Sequence, residues 1–238
     1  MSKLINTQVD TLCFHELNPT GAVFDGNPQP IVNTINEFQA ILDGGDKHLL
    51  ALDYSRQASV MQYADLKKQS NVALLGDIAY YYLRYVEEII NINKNVRFVC
   101  IKRDRTETVN SWLKKSSINR WFSLRIADWL KSIITRTPYH KSKNFWQEHD
   151  GQTWKLDPVW DSTFPNFEAD SKEEAIGKYW DDYYEEATRL ESIYPDYFRI
   201  FDISKMSNRD GQKEILSFVG IDEQQMVLKD DFHMHKSG

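Results

Sequence analysis

With two cysteines, seven prolines and ten glycines in 238 residues, the chain cannot be a disulfide scaffold or a low-complexity linker. Cys13 and Cys100 fit no metal-ligand spacing, and Cys100 lies inside an apolar run of strand character. Both read as buried thiols of a reducing, cytoplasmic compartment. Positive charge is also scarce: 29 Lys and Arg face 35 Asp and Glu, a net charge of −6 with a pI near 5.6. A nucleic-acid partner ordinarily needs a basic surface, so none is expected. No apolar stretch approaches the roughly 18 residues of a membrane span, and no secretory pattern opens the sequence. Repeats and heptads are absent. His140 and His149 have carboxylates nearby but no ligand spacing, and His233 and His235 sit in a polar tail, so no metal site is expected. The length suits one α/β domain over residues 1–238.

What is present gathers around Val96 to Leu113, VRFVCIKRDRTETVNSWL. Val96 to Ile101 is short, bulky and largely β-branched or aromatic, which suits a strand buried on both faces of a parallel sheet. Charge then arrives at Lys102 to Arg105, and helix signals follow: Thr106 as cap, Glu107 in the first turn, and a stripe of Val109, Trp112 and Leu113. A charged turn at a strand's carboxyl end is where open α/β sheets bind ligands. Arg103 stands at that exit and Ser111 follows eight residues later, about two helical turns on. A guanidinium fork and a hydroxyl there could hold a phosphate. Equally, Arg103 could pair with Asp104 or Glu107 and leave Ser111 a surface hydroxyl.

Further strands are expected at His48–Asp53, Val72–Gly76 and Tyr197–Asp202, and helices at Ile31–Leu42, Ile78–Asn91 and Asp210–Val219. Gly220 suits the helix-stopping position that follows. Residues 64–70 read as a polar connector, and Ser171 with Glu174 as a capping box opening a helix to about Ile193. His15 is expected to pack on a first helix. Asp53 and Arg56 stand at a strand end, either facing a ligand or pairing with each other. Asp77 sits at a strand exit and a helix start together, which makes it an N-cap or a general base. Residues 114–168 depart from strand–helix alternation as an insertion. Six of the seven tryptophans lie between Trp112 and Trp160, as core anchors or as the lid of an acceptor pocket.

Arg103 and Ser111 on a strand-turn-helix resemble the 3′-phosphate element of sulfotransferases, which use 3′-phosphoadenosine 5′-phosphosulfate (PAPS). The similarity runs from Asn71 to Gly220 and includes the closing helix, strand and helix from Asp170 onward. It implies a three-layer α/β/α fold with a mainly parallel, P-loop-like sheet. The implied activity is sulfuryl transfer from PAPS to a hydroxyl on a small molecule or glycan. Arg103 and Ser111 would bind the cofactor, and Asp77 would serve as catalytic base.

The family's 5′-phosphosulfate loop, resembling Pro-Arg/Lys-Ser-Gly-Ser/Thr-Thr-Leu, aligns with Asn6 to Leu12 after a strand at Lys3–Ile5. Only Thr11 keeps its residue type, and it would remain from the loop as a third cofactor-binding residue beside Arg103 and Ser111. Thr7 lacks the family's cation, Val9 is β-branched where backbone must close on phosphate, and Asp10 adds a negative charge. A catalytically impaired member that binds a nucleotide or a glycan, and a non-enzymatic interaction protein, therefore stand beside the enzyme reading. Lys229 and Lys236 are candidates for the basic C-terminal segment that the family brings to its nucleotide.

Overall fold

A computed structural model describes residues 1–18, 28–54, 56–118, 151–152 and 166–230, with 126, 130, 133 and 134. The chain is mixed α/β with parallel strand pairs. Its described residues divide into two compact units, 1–102 with 187–230, and 103–186. Most of the expected insertion, and the lid reading with it, lies outside the described residues.

In the first unit, α1 (Ser2–Ile5) leads to β1 (Thr11–His15), then α2 (Gln29–Leu42) and α3 (Gln57–Lys68). β2 (Leu74–Ile78) follows, then a 3₁₀ turn (Tyr80–Tyr85) and α4 (Val86–Ile92). β3 (Phe98–Lys102), β4 (Phe198–Asp202) and α7 (Arg209–Phe218) complete it. β1 pairs in parallel with β2, Thr11 opposite Leu74, and β3 pairs in parallel with β4, Phe98 opposite Phe198. Strand alternation divides β1 between two cores. Leu12 and Phe14 pack with Phe38 and Ile41 of α2 and with Tyr63 and Leu66 of α3. Cys13 packs with Leu4 and Ile5 of α1 and with Ile215 and Leu216 of α7.

The register also determines where each backbone group points. In a parallel ladder both polar groups of one residue face the same side, and the next residue's face the other. The Asp10 carbonyl accepts from Leu74 and the Glu16 N–H donates to Ile78, so even-numbered residues of β1 face β2. Thr11, Cys13 and His15 face away, and side chains meet them. The Asn6 amide exchanges two hydrogen bonds with the Cys13 backbone, at 2.6 and 3.0 Å. Gln62 also donates to the Cys13 carbonyl, Gln69 donates to Thr11, and Arg56 reaches the His15 carbonyl. On β4 the outward Ile200 N–H donates to Glu191 at 2.7 Å. Both outer edges are thus occupied by side chains, not strands.

Two fully or nearly buried glutamines do the same for the chain's last described stretch. Gln8 exchanges hydrogen bonds with the Val227 backbone, and Gln212 with that of Lys229. Residues 227 and 229 face in as alternate residues of a strand would, against side-chain amides.

In the second unit, α5 (Arg105–Ile118) packs on the N-terminal part of α6 (Lys172–Ile193). Arg105 makes a bidentate pair with Asp181, both distances 2.8 Å, and Trp112 meets Tyr179. Gly177 makes this possible, because a Cβ there would lie 2.4 Å from the Arg105 guanidinium. Ser171 and Glu174 cap α6 as expected in outline, although Glu174 accepts the Asp170 N–H, one residue early.

Several expectations are corrected. Lys3–Ile5 is helical, with β1 following it, so Asn6 to Asp10 precede the first strand and do not leave it. His15 is the exposed last residue of β1. His48–Asp53 forms no strand; Leu49 and Leu52 are buried there as irregular chain. Residues 57–68, partly read as connector, are helical because Ser59, Tyr63 and Leu66 share one buried face. The α5 cap is Asp104, whose carboxylate accepts the Glu107 N–H, rather than Thr106. β3, β4, α2 and α7 fall within two residues of their expected bounds, and Gly220 takes φ of 87°.

Replacing Gln212 by Leu should cost about 1–3 kcal/mol, since it strands the carbonyl of buried Met206 and removes both hydrogen bonds to the Lys229 backbone. Asn6→Ala should cost less, about 0.5–1.5 kcal/mol, because water reaches its exposed edge. Urea midpoints at constant slope measure both. For Gly177→Ala, the helix gains about 1 kcal/mol in propensity and loses an exposed ion pair worth about 0.2–1 kcal/mol. Stability should hardly change, while the Asp181 carboxyl, held below its ordinary range by its hydrogen bonds to Arg105, should titrate higher by NMR.

Candidate functional site: Asp77 and the cleft between the strand pairs

β1 and β2 end together at His15 and Ile78. Beyond β1, Glu16 adopts a left-handed φ of 54°, uncommon for a residue with a Cβ. The turn brings the Leu17 N–H to the Asp77 carboxylate, 3.2 and 3.1 Å from its two oxygens. Tyr82 donates to Oδ2 at 2.7 Å and Tyr81 at 3.4 Å. Asp77 is therefore a strand residue, and Ala79 precedes the 3₁₀ turn in its place, which removes the N-cap reading. Burial pushes the Asp77 carboxyl above its ordinary value, opposed by hydrogen bonds from Tyr82, Leu17 and Ile78. The nearby Glu16 adds a smaller push in the same direction and is itself paired with Arg56 at 2.8 Å. Burial also raises Tyr81 and Tyr82, which keeps both hydroxyls protonated as donors.

Asp77 and Tyr82 line a cavity of about 440 Å³ that runs along β2 and the start of β3. Phe38 and Leu42 of α2 wall one side, and Ile5 and Val219 the other. A volume of this order, apolar with a few convergent polar groups and an ionisable residue of shifted pKa, is the usual form of a small-molecule site. Cys13 also borders it, but burial pushes that thiol up to about 12, so it is inert near neutral pH. Cys100 is likewise buried, free and raised to about 12.

The other residues singled out in the sequence lie elsewhere. Thr11 opens β1 at the amino end of the pair, and its buried hydroxyl donates to the Ile5 and Gln8 carbonyls. It is a structural hydroxyl at the strand end away from Asp77. Arg103 and Ser111 belong to the second unit. Arg103 leaves β3 in the chain and pairs with Glu107 at 3.1 Å, the alternative its sequence neighbours allowed, while its carbonyl accepts the Trp180 indole N–H. Ser111 is half-buried on α5. Arg56 pairs with Glu16, a partner 40 positions away that sequence proximity did not suggest. Lys229 contributes its backbone to Gln212, and Lys236 lies outside the described residues.

Sequence reasoning found Asp77 but missed Tyr82 as its donor, since Tyr81 and Tyr82 fall within the helix expected at Ile78–Asn91. The available signal was the spacing: Tyr81 and Tyr82 follow Asp77 by four and five positions, close enough for a tight turn to fold a hydroxyl back.

Neither family models, characterised proteins nor solved structures match this chain. Among the described residues, no group of three or more His, Cys, Asp and Glu is placed to hold a metal ion. No described helix is long and apolar enough to cross a membrane.

The raised pKa of Asp77 has a definite sign in stability. The folded state holds this proton more tightly than the unfolded chain, so ionisation destabilises the fold as pH rises from about 4 through the folded pKa. Asp77→Asn should remove that decline, gaining on the parent protein as pH rises across the window. Thermal unfolding from pH 4 to 8 measures it, and parallel curves for the two proteins would show that Asp77 carries no raised pKa.

Proposed function

We propose that the chain is a sulfotransferase-like protein with a P-loop-like, three-layer fold, which takes a sulfuryl group from PAPS and passes it to a hydroxyl acceptor. Arg103 and Ser111 hold the 3′-phosphate, and Asp77 is the base that receives the acceptor's proton. Asp77 carries the reading: a half-buried carboxylate at the edge of an apolar cavity, pushed up by burial, is a stronger base than an exposed one. Its hydrogen bond from Tyr82 orients it. Arg103 suits its role because its present pair with Glu107 is an i, i+4 contact of an exposed carboxylate, worth about 0.3–0.5 kcal/mol. A phosphate offering two oxygens to the guanidinium fork outcompetes that partner.

One observation favours a second reading, in which the nucleotide is bound but nothing is transferred. Thr11 is buried with its hydroxyl committed to carbonyls, and the first residue beyond β1 is the acidic Glu16 rather than a cation. A transferring sulfuryl group needs positive charge or N–H donors, and Glu16 supplies neither.

Calorimetric titration and turnover separate these readings. Adenosine 3′,5′-bisphosphate should bind, and Arg103→Ala should weaken it roughly 10- to 100-fold, as expected for a lost charge-assisted hydrogen bond of about 1.5–3 kcal/mol. Turnover of PAPS that Asp77→Asn lowers, at unchanged bisphosphate affinity, supports the enzyme; binding without turnover supports the second reading. Equal affinity for adenosine 5′-monophosphate and the bisphosphate, with Arg103→Ala silent, removes both.

A further inference from the structure

The outer edges of β1 and β4 are met by side chains, and the inner edges of β2 and β3 pose the opposite problem. Leu74 and Ile78 turn their backbone groups to β1, so by alternation Leu75 and Asp77 turn theirs away from it. The Phe98 N–H donates to Tyr197, so Phe98 and Cys100 face β4 while Arg97 and Val99 face away. β2 and β3 are not paired with each other. The outward groups of Leu75 and Asp77 on one side, and of Arg97 and Val99 on the other, border the same cavity of about 440 Å³. Leu75, Asp77 and Val99 are half-buried and Arg97 is exposed, so water can meet these groups until a ligand with matching donors and acceptors replaces it.

The cleft therefore has an unusual distribution of chemistry. Its two long sides are polar and lie in the plane of the strands. Its floor and roof, Phe38 and Leu42 on one face and Ile5 and Val219 on the other, are apolar. A complementary occupant has donors and acceptors around its rim and apolar faces above and below. We infer that the cleft between β2 and β3 is a binding site for a planar nitrogen heterocycle of purine or pteridine size, its rim hydrogen-bonded to the two strand edges. An extended peptide also has polar edges, and its alternating side chains would meet the same two faces, so it is the competing occupant that the test includes. A flat ring lays its own faces against the floor and roof and needs no matching side chains. The Asn93–Gln39 amide pair borders one part of the cleft and Asp77 with Tyr82 another, so polar groups also await ring substituents.

The inference does not depend on sulfuryl transfer, and its test uses no phosphate or sulfate. Adenine, hypoxanthine and pterin are titrated by thermal shift and calorimetry, alongside a soluble Thr-Val-Thr-Val-Thr peptide. At least one heterocycle should bind and the peptide should not. Amide hydrogen exchange by NMR locates the event. Without ligand, Leu75, Asp77, Arg97 and Val99 should exchange faster than Gly76, Ile78 and Cys100, and the bound heterocycle should slow the first set at least about tenfold. Ile35→Trp, a half-buried cavity residue enlarged, should abolish binding while the protein keeps its fold by circular dichroism. Should that variant not fold, the exchange pattern decides alone. Three results overturn the inference: no heterocycle binds; the peptide binds instead; or the first set of amides is already as protected as the second without ligand, which means that β2 and β3 close on each other.

Discussion

The first unit depends on side-chain groups completing backbone ladders that no strand completes. Asn6, Gln62, Gln69 and Arg56 occupy the outer edge of β1, and Glu191 that of β4. A carboxamide carries one acceptor and one donor group side by side, which is what a peptide unit offers its neighbour. Asn6 uses both on one residue, Cys13. An exposed strand edge otherwise invites pairing with another chain, and side chains block that at the outer edges of β1 and β4, which leaves the inner edges of β2 and β3 as the open ones. The polar requirement is met by residues of α1, α3 and the linking segments, whose apolar neighbours simultaneously cover the strand faces.

Asp77 is a consequence of the same layout. It is half-buried because β1, α2 and the 3₁₀ turn surround the end of β2, and the carboxylate survives there because Tyr82 and the Leu17 N–H turn toward it. These donors favour the ionised form while burial favours the neutral one, with burial the larger influence. A group balanced in this way exchanges its proton closer to neutrality than an exposed aspartate does. The left-handed backbone of Glu16 belongs to this arrangement: it turns the chain after β1 so that Leu17 can reach Asp77, and Arg56 offsets the charge that Glu16 brings.

Much of the element pattern was legible in the sequence, for identifiable reasons. β3, β4, α2 and α7 announce themselves because their burial comes from one uninterrupted apolar pattern per element. His48–Asp53 has the same composition as a strand and is not one; Leu49 and Leu52 find burial against Tyr63 and Leu66 without any ladder. α3 was obscured because a serine occupies its buried face, and its mean hydropathy gave little sign of the stripe. At the N-terminus, family resemblance placed a strand where Ser2–Ile5 is helical; four residues are too few for periodicity to distinguish the two. Asp77 was recognisable as a group at a strand end, but its donors were not. Tyr82 lies on a 3₁₀ turn, whose three-residue period differs from that of the α-helix expected at Ile78–Asn91.

The buried amides of Gln8 and Gln212 also set an order of events in time. The partner of Gln8 is Val227, 219 positions later. At a synthesis rate of about 5–20 residues per second, the Gln8 side chain exists for roughly 10–40 s before the residue that satisfies it has been made. β4, which completes the second strand pair, is made almost as late. Throughout that interval α1 and β1 lack part of their polar complement, and the nascent chain holds an incomplete core. The first unit therefore closes only once residues 227 and 229 have been made, and a factor that shelters exposed strand edges on the ribosome would act on β1 and β2 before anything else.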